Sequence, residues 1–303
     1  MKKYFLSIAL YCFFTNDHLK AQIQPQDIQF IKSLEDSIKI YGDSMISDKN
    51  EETKFIASYR IVKTLKAALK VKNAYQYQFD SLLPIQIVYA PDNSFRIFTW
   101  FVINENQQYR YFGAIQLNTD TLQLFPLVDY SDFIDKPEDK MVDNQNWYGA
   151  LYYQIIAVKQ KKKTYYTLFG SDGNNFNSNR KVMEILWFEK DGKPRFGAPI
   201  IEYKNKLQNR FILEFSNNAW ATMRFVPEEN KVIYDHVLPP DENLEGFYSQ
   251  YLPDGTYEGF EWVKNKWIHI NLIDYIKREN GDVPNVQKKT KVDFRNPGKT
   301  IPK

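Results

Sequence analysis

Few stretches of this chain combine residue types that do chemistry. The densest is Gly170–Asn179, which reads Gly-Ser-Asp-Gly-Asn-Asn-Phe-Asn-Ser-Asn. Its carboxylate and amide oxygens are hard donors of the kind that calcium takes. The spacing of a helix–loop–helix calcium site fails, because with Asp172 in first place Phe176 stands fifth and Met183 twelfth. Asn, Asp and Gly also make turns through left-handed backbone geometry and side-chain-to-backbone bonds. The segment therefore reads first as a hairpin loop and second as a ligand site, with Asp172, Asn174 and Asn175 as candidate ligand-binding residues. No metal site is assigned.

A second constellation is Asp235-His236. A histidine held by a carboxylate can act as a general base. Successive strand residues point to opposite faces, so Asp235 is not expected to orient His236. Both stay in the candidate list. His269 is the one other histidine beyond the first 21 residues, and two histidines cannot build a three-histidine zinc site. No G-x-G-x-x-G, Walker loop, G-x-S-x-G or H-E-x-x-H occurs, so no cofactor is expected. Glycoside hydrolysis needs only two carboxylates at the right separation in space, and spacing along the chain does not single out a pair.

Aromatic residues make up 16% of the chain, which is high enough to ask what they do. Exposed rings in a β protein stack on sugars, whereas buried ones fill β cores. Most lie in alternating patterns that suit burial. Trp147, at the head of a strand group, joins the ligand-binding candidates.

These residues must be positioned by a framework that the periodicity outlines. Ile31, Leu34, Ile38 and Tyr41 recur at helical spacing, as do Phe55, Tyr59, Val62, Leu65 and Leu69. Pro25 suits a first helical turn, Gly42 a stop, and Asp48 with Glu51 a capping box. Residues 22–74 thus predict a helical hairpin. From Tyr75 the period changes to two: Tyr75, Tyr77 and Phe79 alternate with polar residues. Phe95–Ile103 is apolar on both faces, as in a central strand. Strands are then expected near 109–117, 121–128, 148–158, 163–169, 181–189 and 196–203. More follow near 210–216, 219–226, 231–236, 246–251, 256–263 and 267–270. With about 13 short strands at regular spacing, residues 75–276 predict a mainly β fold, one large antiparallel domain. A sandwich, a barrel and propeller-like meanders all fit that pattern.

The two ends differ from this body. Lys2 and Lys3, an apolar run of 11 residues from Tyr4 to Phe14, and Leu19-Lys20-Ala21 follow the layout of a signal peptide cut near Ala21. The apolar run is shorter than the ~20 residues that span a bilayer. Residues 1–21 hold Cys12, the chain's one cysteine, so an exported mature form would have no thiol chemistry. They also hold three lysines against one aspartate. Without them, 40 basic and 37 acidic residues become 37 and 36. Residues 277–303 carry eight basic side chains against three acids, with several Pro and Gly, and read as a disordered tail. Near-neutral charge and export argue against a nucleic-acid partner, and no later segment is apolar enough to span a membrane.

Five stretches together resemble an uncharacterised family of exported bacterial proteins. They are Pro91–Trp100, Trp147–Tyr153, Tyr165–Asn174, Phe196–Ile200 and Tyr234–Val237. The resemblance implies a secreted or periplasmic β-rich protein and carries no assigned activity. In that family an aromatic often stands where this chain has Ser171. The sequence as a whole points to an exported non-enzymatic protein that binds a glycan, peptide or cell-envelope component. The alternatives are a glycan-active hydrolase using two carboxylates and a structural or assembly partner in the envelope.

Overall fold

The computed structural model describes residues 22–271. The expected leader, 1–21, and the basic tail, 277–303, lie outside the described residues. Within them, two N-terminal helices precede a mainly β region built from three open sheets.

Helix α1 (Pro25–Ser47) starts at Pro25, where the ring's missing N–H costs no hydrogen bond. Gly42 does not end it. It lies within the helix, and a Cβ there would sit 2.2 Å from Pro84 Cγ, so the glycine lets the loop before the first strand approach. Helix α2 (Glu51–Leu69) is capped by Asn50, whose Oδ1 accepts from Thr53 N at 2.9 Å. Asp48 does not cap α2 as expected; its Oδ1 accepts from Asn50 N and shapes the link.

The first four strands are β1 (Gln86–Tyr89), β2 (Phe95–Ile103), β3 (Tyr109–Leu117) and β4 (Leu124–Val128). Then come β5 (Val142–Asp143), β6 (Leu151–Gln160), β7 (Lys163–Asp172), β8 (Ser178–Phe188) and β9 (Pro194–Phe196). After them follow β10 (Ile201–Tyr203), β11 (Lys206–Gln208), β12 (Arg210–Ser216) and β13 (Met223–Val226). The last three are β14 (Lys231–Leu238), β15 (Leu252–Val263) and β16 (Lys266–Asn271). The first sheet is the meander β1-β2-β3-β4. The middle sheet runs β5-β9-β8-β7-β6, with β12 also paired to β8. The third runs β11-β10-β16-β15-β14-β13. The pairings are antiparallel except β10 with β16.

The layers follow from which strand faces are apolar. Phe98, Trp100 and Val102 of β2 pack against Ile31, Ile38, Ile61 and Leu65 of the helices. Phe95 and Ile97, on the opposite face of β2, meet Leu168, Val182 and Leu186 of the middle sheet. Phe169, Met183 and Ile185 face the other way, onto Tyr234, Phe260 and Trp267 of the third sheet. A strand buried on both faces must be apolar on both, which is why β2 and β8 lack alternation. Among the described residues no helix is long and apolar enough to cross a membrane.

Three expected strands differ. Residues 75–79 form a 3-10 turn at Ala74–Gln76 rather than a strand, with Asn73 and Phe79 at positive φ. The segment wraps the buried guanidinium of Arg96, which donates to Ala74 O and Tyr77 O and lies 5.1 Å from the rings of both Tyr75 and Phe79. Its aromatic alternation serves a cation, not a sheet. Residues 246–251 form a 3-10 turn at Tyr248–Gln250 instead of a strand. Gly246 at φ 86° turns the chain there, and Tyr251 Oη accepts its N–H. The stretch 196–203 splits into β9 and β10, which belong to different sheets. Gly197, at φ 92°, lets the chain leave the middle sheet for the third.

Candidate functional site

The Asp172 loop is held from within. Asp172 closes β7 and is 5% exposed. Tyr111 and Tyr148 donate hydroxyl hydrogens to its two oxygens at 3.1 and 3.2 Å, and Asn174 N donates at 2.8 Å. Burial raises the Asp172 carboxyl, and Arg180, 3.7 Å away, opposes that rise. Arg180 also bonds Glu214 at 2.8 Å, and Asn174 and Ser178 donate to the same carboxylate. Asn175 accepts from Asn177 N and Ser178 N and so builds the turn itself. Trp147 is fully buried in the neighbouring core, its indole N–H donating to Tyr152 Oη at 2.9 Å. The structure therefore brings Asp172 and Asn174 together with Tyr111, Tyr148, Arg180 and Glu214. Tyr111 ties the first sheet to the middle one, Asn174 and Asn175 shape the loop, and Arg180 with Glu214 joins β8 to β12.

Asp235 and His236 part company as the strand geometry requires. Asp235 accepts from Thr222 N and Thr222 Oγ1, both at 2.6 Å. His236 turns to Asp254 across a bulge in the β14–β15 pairing, with Nδ1 2.9 Å from Asp254 Oδ2. Its Nε2 lies 3.9 Å from Glu258, which His269 approaches to 3.2 Å from the other side. Tyr234 donates to Glu258 at 2.8 Å. Burial pushes the Glu258 carboxyl up, but the His269 and Tyr234 bonds and the two imidazoles outweigh it and hold the group below its usual range. Asp254 is likewise held low, by Thr256 and His236 against burial. Among the described residues no group of three or more His, Cys, Asp or Glu is placed to hold a metal ion.

A recess of about 330 Å³ lies between β6 and the third sheet. That lies at the small end of the ~300–1,000 Å³ typical of small-molecule sites. Its apolar lining residues include Val158, Phe225, Trp262 and Trp267, and Lys159 and Asn230 complete the rim. Trp267 is fully buried and pinned by its indole N–H to Thr167 Oγ1 at 3.0 Å. Trp262 and Phe225 are only partly covered. Trp262 packs on Trp267 edge to face, with ring centroids 5.3 Å apart, so a rigid indole fixes an accessible one.

The candidate residues named from sequence do not line this recess. A signal for part of it was present: the tight turn at Lys264-Asn265, both at positive φ, forces Trp262 opposite Trp267. Phe225, Asn230 and Lys159 come from other hairpins, and no local pattern joins them. Neither a protein-family model nor a curated protein matches this chain.

Proposed function

We propose that the protein is an exported binding protein that holds a glycan of the cell envelope in the recess at Trp262. The observation that carries this reading is the pair of partly covered rings, Trp262 and Phe225, in a recess that Lys159 and Asn230 also line. Sugars offer an apolar C–H face and a rim of hydroxyls. An indole beside polar residues suits both needs. No carboxylate is among the lining residues of the recess, and carboxylate-driven glycoside hydrolysis would need two.

The hydrolase alternative needs one carboxyl kept protonated near neutral pH to serve as acid. Asp254 and Glu258, the acids beside the more accessible histidine, are both held below their usual range. Asp172 and Glu184 are shifted upward, but both are buried. This favours binding over hydrolysis.

The test is calorimetric titration of the mature protein with oligosaccharides prepared from cell envelopes. Trp262→Ala is expected to weaken binding at least tenfold while leaving the unfolding midpoint within a few degrees. Equal binding by Trp262→Ala, or no binding by the unaltered protein, sinks the proposal. Export is tested separately: the secreted or periplasmic form should begin at Gln22, and a mature protein that retains Met1 in the cytoplasm would overturn it.

A further inference from the structure

On the opposite side of the middle sheet from the Asp172 carboxylate, a serine and a lysine face each other. Ser171 and Lys181 are directly paired across β7 and β8. In an antiparallel sheet such partners project to the same face. Lys181 Nζ donates to Ser171 Oγ at 2.9 Å. The lysine is 5% exposed, and its ammonium lies 5.6 Å from the Tyr153 ring and 5.1 Å from the Trp220 ring. Ser171 is only partly covered, and Trp220 is 53% exposed. A dry amine thus sits beside a hydroxyl that a solute can approach.

We propose that Ser171 and Lys181 form a nucleophile–base dyad that cleaves a carboxylic ester with an apolar acyl group. A serine hydroxyl is a weak nucleophile until a base takes its proton, and a lysine serves only when neutral. Burial lowers Lys181 to about 8, with the Asp235 charge opposing the shift, so a substantial neutral fraction exists in mildly alkaline solution. The apolar preference follows from the Tyr153 and Trp220 rings beside the pair.

The step balances without a co-reactant other than water. The Ser171 hydroxyl proton passes to the neutral Lys181 amine as Oγ bonds to the acyl carbon. The ester C–O bond then breaks, and the Lys181 ammonium returns the proton to the departing alkoxide. Water, deprotonated by the same amine, attacks the acyl-serine. Oγ leaves and is reprotonated, and a carboxylic acid is released. The proposal is independent of the glycan reading, since no residue of the Trp262 recess takes part.

The experiment uses the whole mature protein and an alkyl fluorophosphonate, which forms a stable adduct with activated serines. Peptide mass spectrometry should place the adduct on Ser171, with none on the surface hydroxyl of Ser94. The labelling rate should rise about tenfold from pH 7 to pH 9, levelling off above the Lys181 titration. Lys181→Met should reduce labelling at least a hundredfold with an unchanged circular dichroism spectrum, and Ser171→Ala should abolish it. Absence of an adduct on Ser171 overturns the dyad. A pH-independent rate in the unaltered protein overturns it too, even if Lys181→Met fails to fold. Labelling of Ser171 that survives Lys181→Met removes the lysine's role and with it the proposal.

Discussion

The side-chain amide of Gln154 pairs with the backbone of Phe225 as a neighbouring strand would. Gln154 Oε1 accepts from Phe225 N at 2.9 Å, and its Nε2 donates to Phe225 O at 3.2 Å. Tyr153, one residue earlier, donates its hydroxyl to Met223 O. Strand β13 is the end strand of the third sheet, and such edges carry unpaired backbone groups. Two side chains of β6 satisfy those groups and tie the middle sheet to the third. Gln154→Leu keeps the bulk and strands one donor and one acceptor in a partly buried place. We expect a loss of ~1–3 kcal/mol, read as a lower urea midpoint with an unchanged slope. Unaltered stability would mean that water replaces the amide.

Glu184 and Arg210 form an ion pair with both side chains at 0% exposure, 2.7 Å apart. Burial raises the Glu184 carboxyl and Arg210 opposes that rise. Arg210→Met leaves the acid without its cation, which costs ~3–5 kcal/mol in comparable sites. Adding Glu184→Gln should recover part of the loss, since the buried charge is gone. A double-mutant cycle by denaturant unfolding measures this, and strict additivity would count against the pairing.

Gly42→Ala sets two effects against each other. Helix propensity favours alanine by about 1 kcal/mol. The new methyl, though, would meet the Pro84 ring at 2.2 Å, and overpacking of this kind costs ~1–3 kcal/mol. The clash should win, lowering the melting temperature, and Pro84→Ala in the same chain should restore it. A higher melting temperature for Gly42→Ala alone would show that the loop yields freely.

Glu258 makes stability depend on acid. A carboxyl whose folded value is depressed binds its proton less readily when folded. Its contribution is present above the unfolded value and is lost as pH falls through the folded one. The interactions at stake are those with His269, Tyr234 and His236, which outweigh the effect of burial. Glu258→Gln should therefore be less stable than the unaltered protein at about pH 7, with the gap closing towards about pH 3. Urea titrations at the two pH values test this. A gap that widens on acidification would contradict the sign.

Some of this was legible from residue order. The helical repeat of Ile31 and Ile38 marks the face of α1 that packs on the first sheet, whereas in α2 only Leu65 and Leu69 of the expected stripe are buried, Tyr59 and Val62 are exposed, and Ile61 takes the inward place. The two-faced apolar run of β2 marks a strand covered on both sides, and the Lys264-Asn265 turn fixes the Trp262–Trp267 pair. Where the reading failed, a long-range partner had taken over a local pattern. Tyr75 and Phe79 alternate like a strand but enclose Arg96, and Gly42 looks like a stop but accommodates Pro84.

The sequence by itself determined the mainly β class, the helical hairpin and most strand positions, because side-chain period and turn chemistry act within a few residues. It also set Asp235 and His236 on opposite faces, since strand geometry alone does that. Only the tertiary structure decided that His236 meets Asp254 and Glu258, and that Trp262 joins Phe225 and Lys159 at a recess. It alone placed the Ser171–Lys181 pair beneath the rings of Tyr153 and Trp220. These groupings depend on how three sheets stack, and stacking is set by the summed burial of faces far apart in the chain. No spacing between neighbouring residues records that sum.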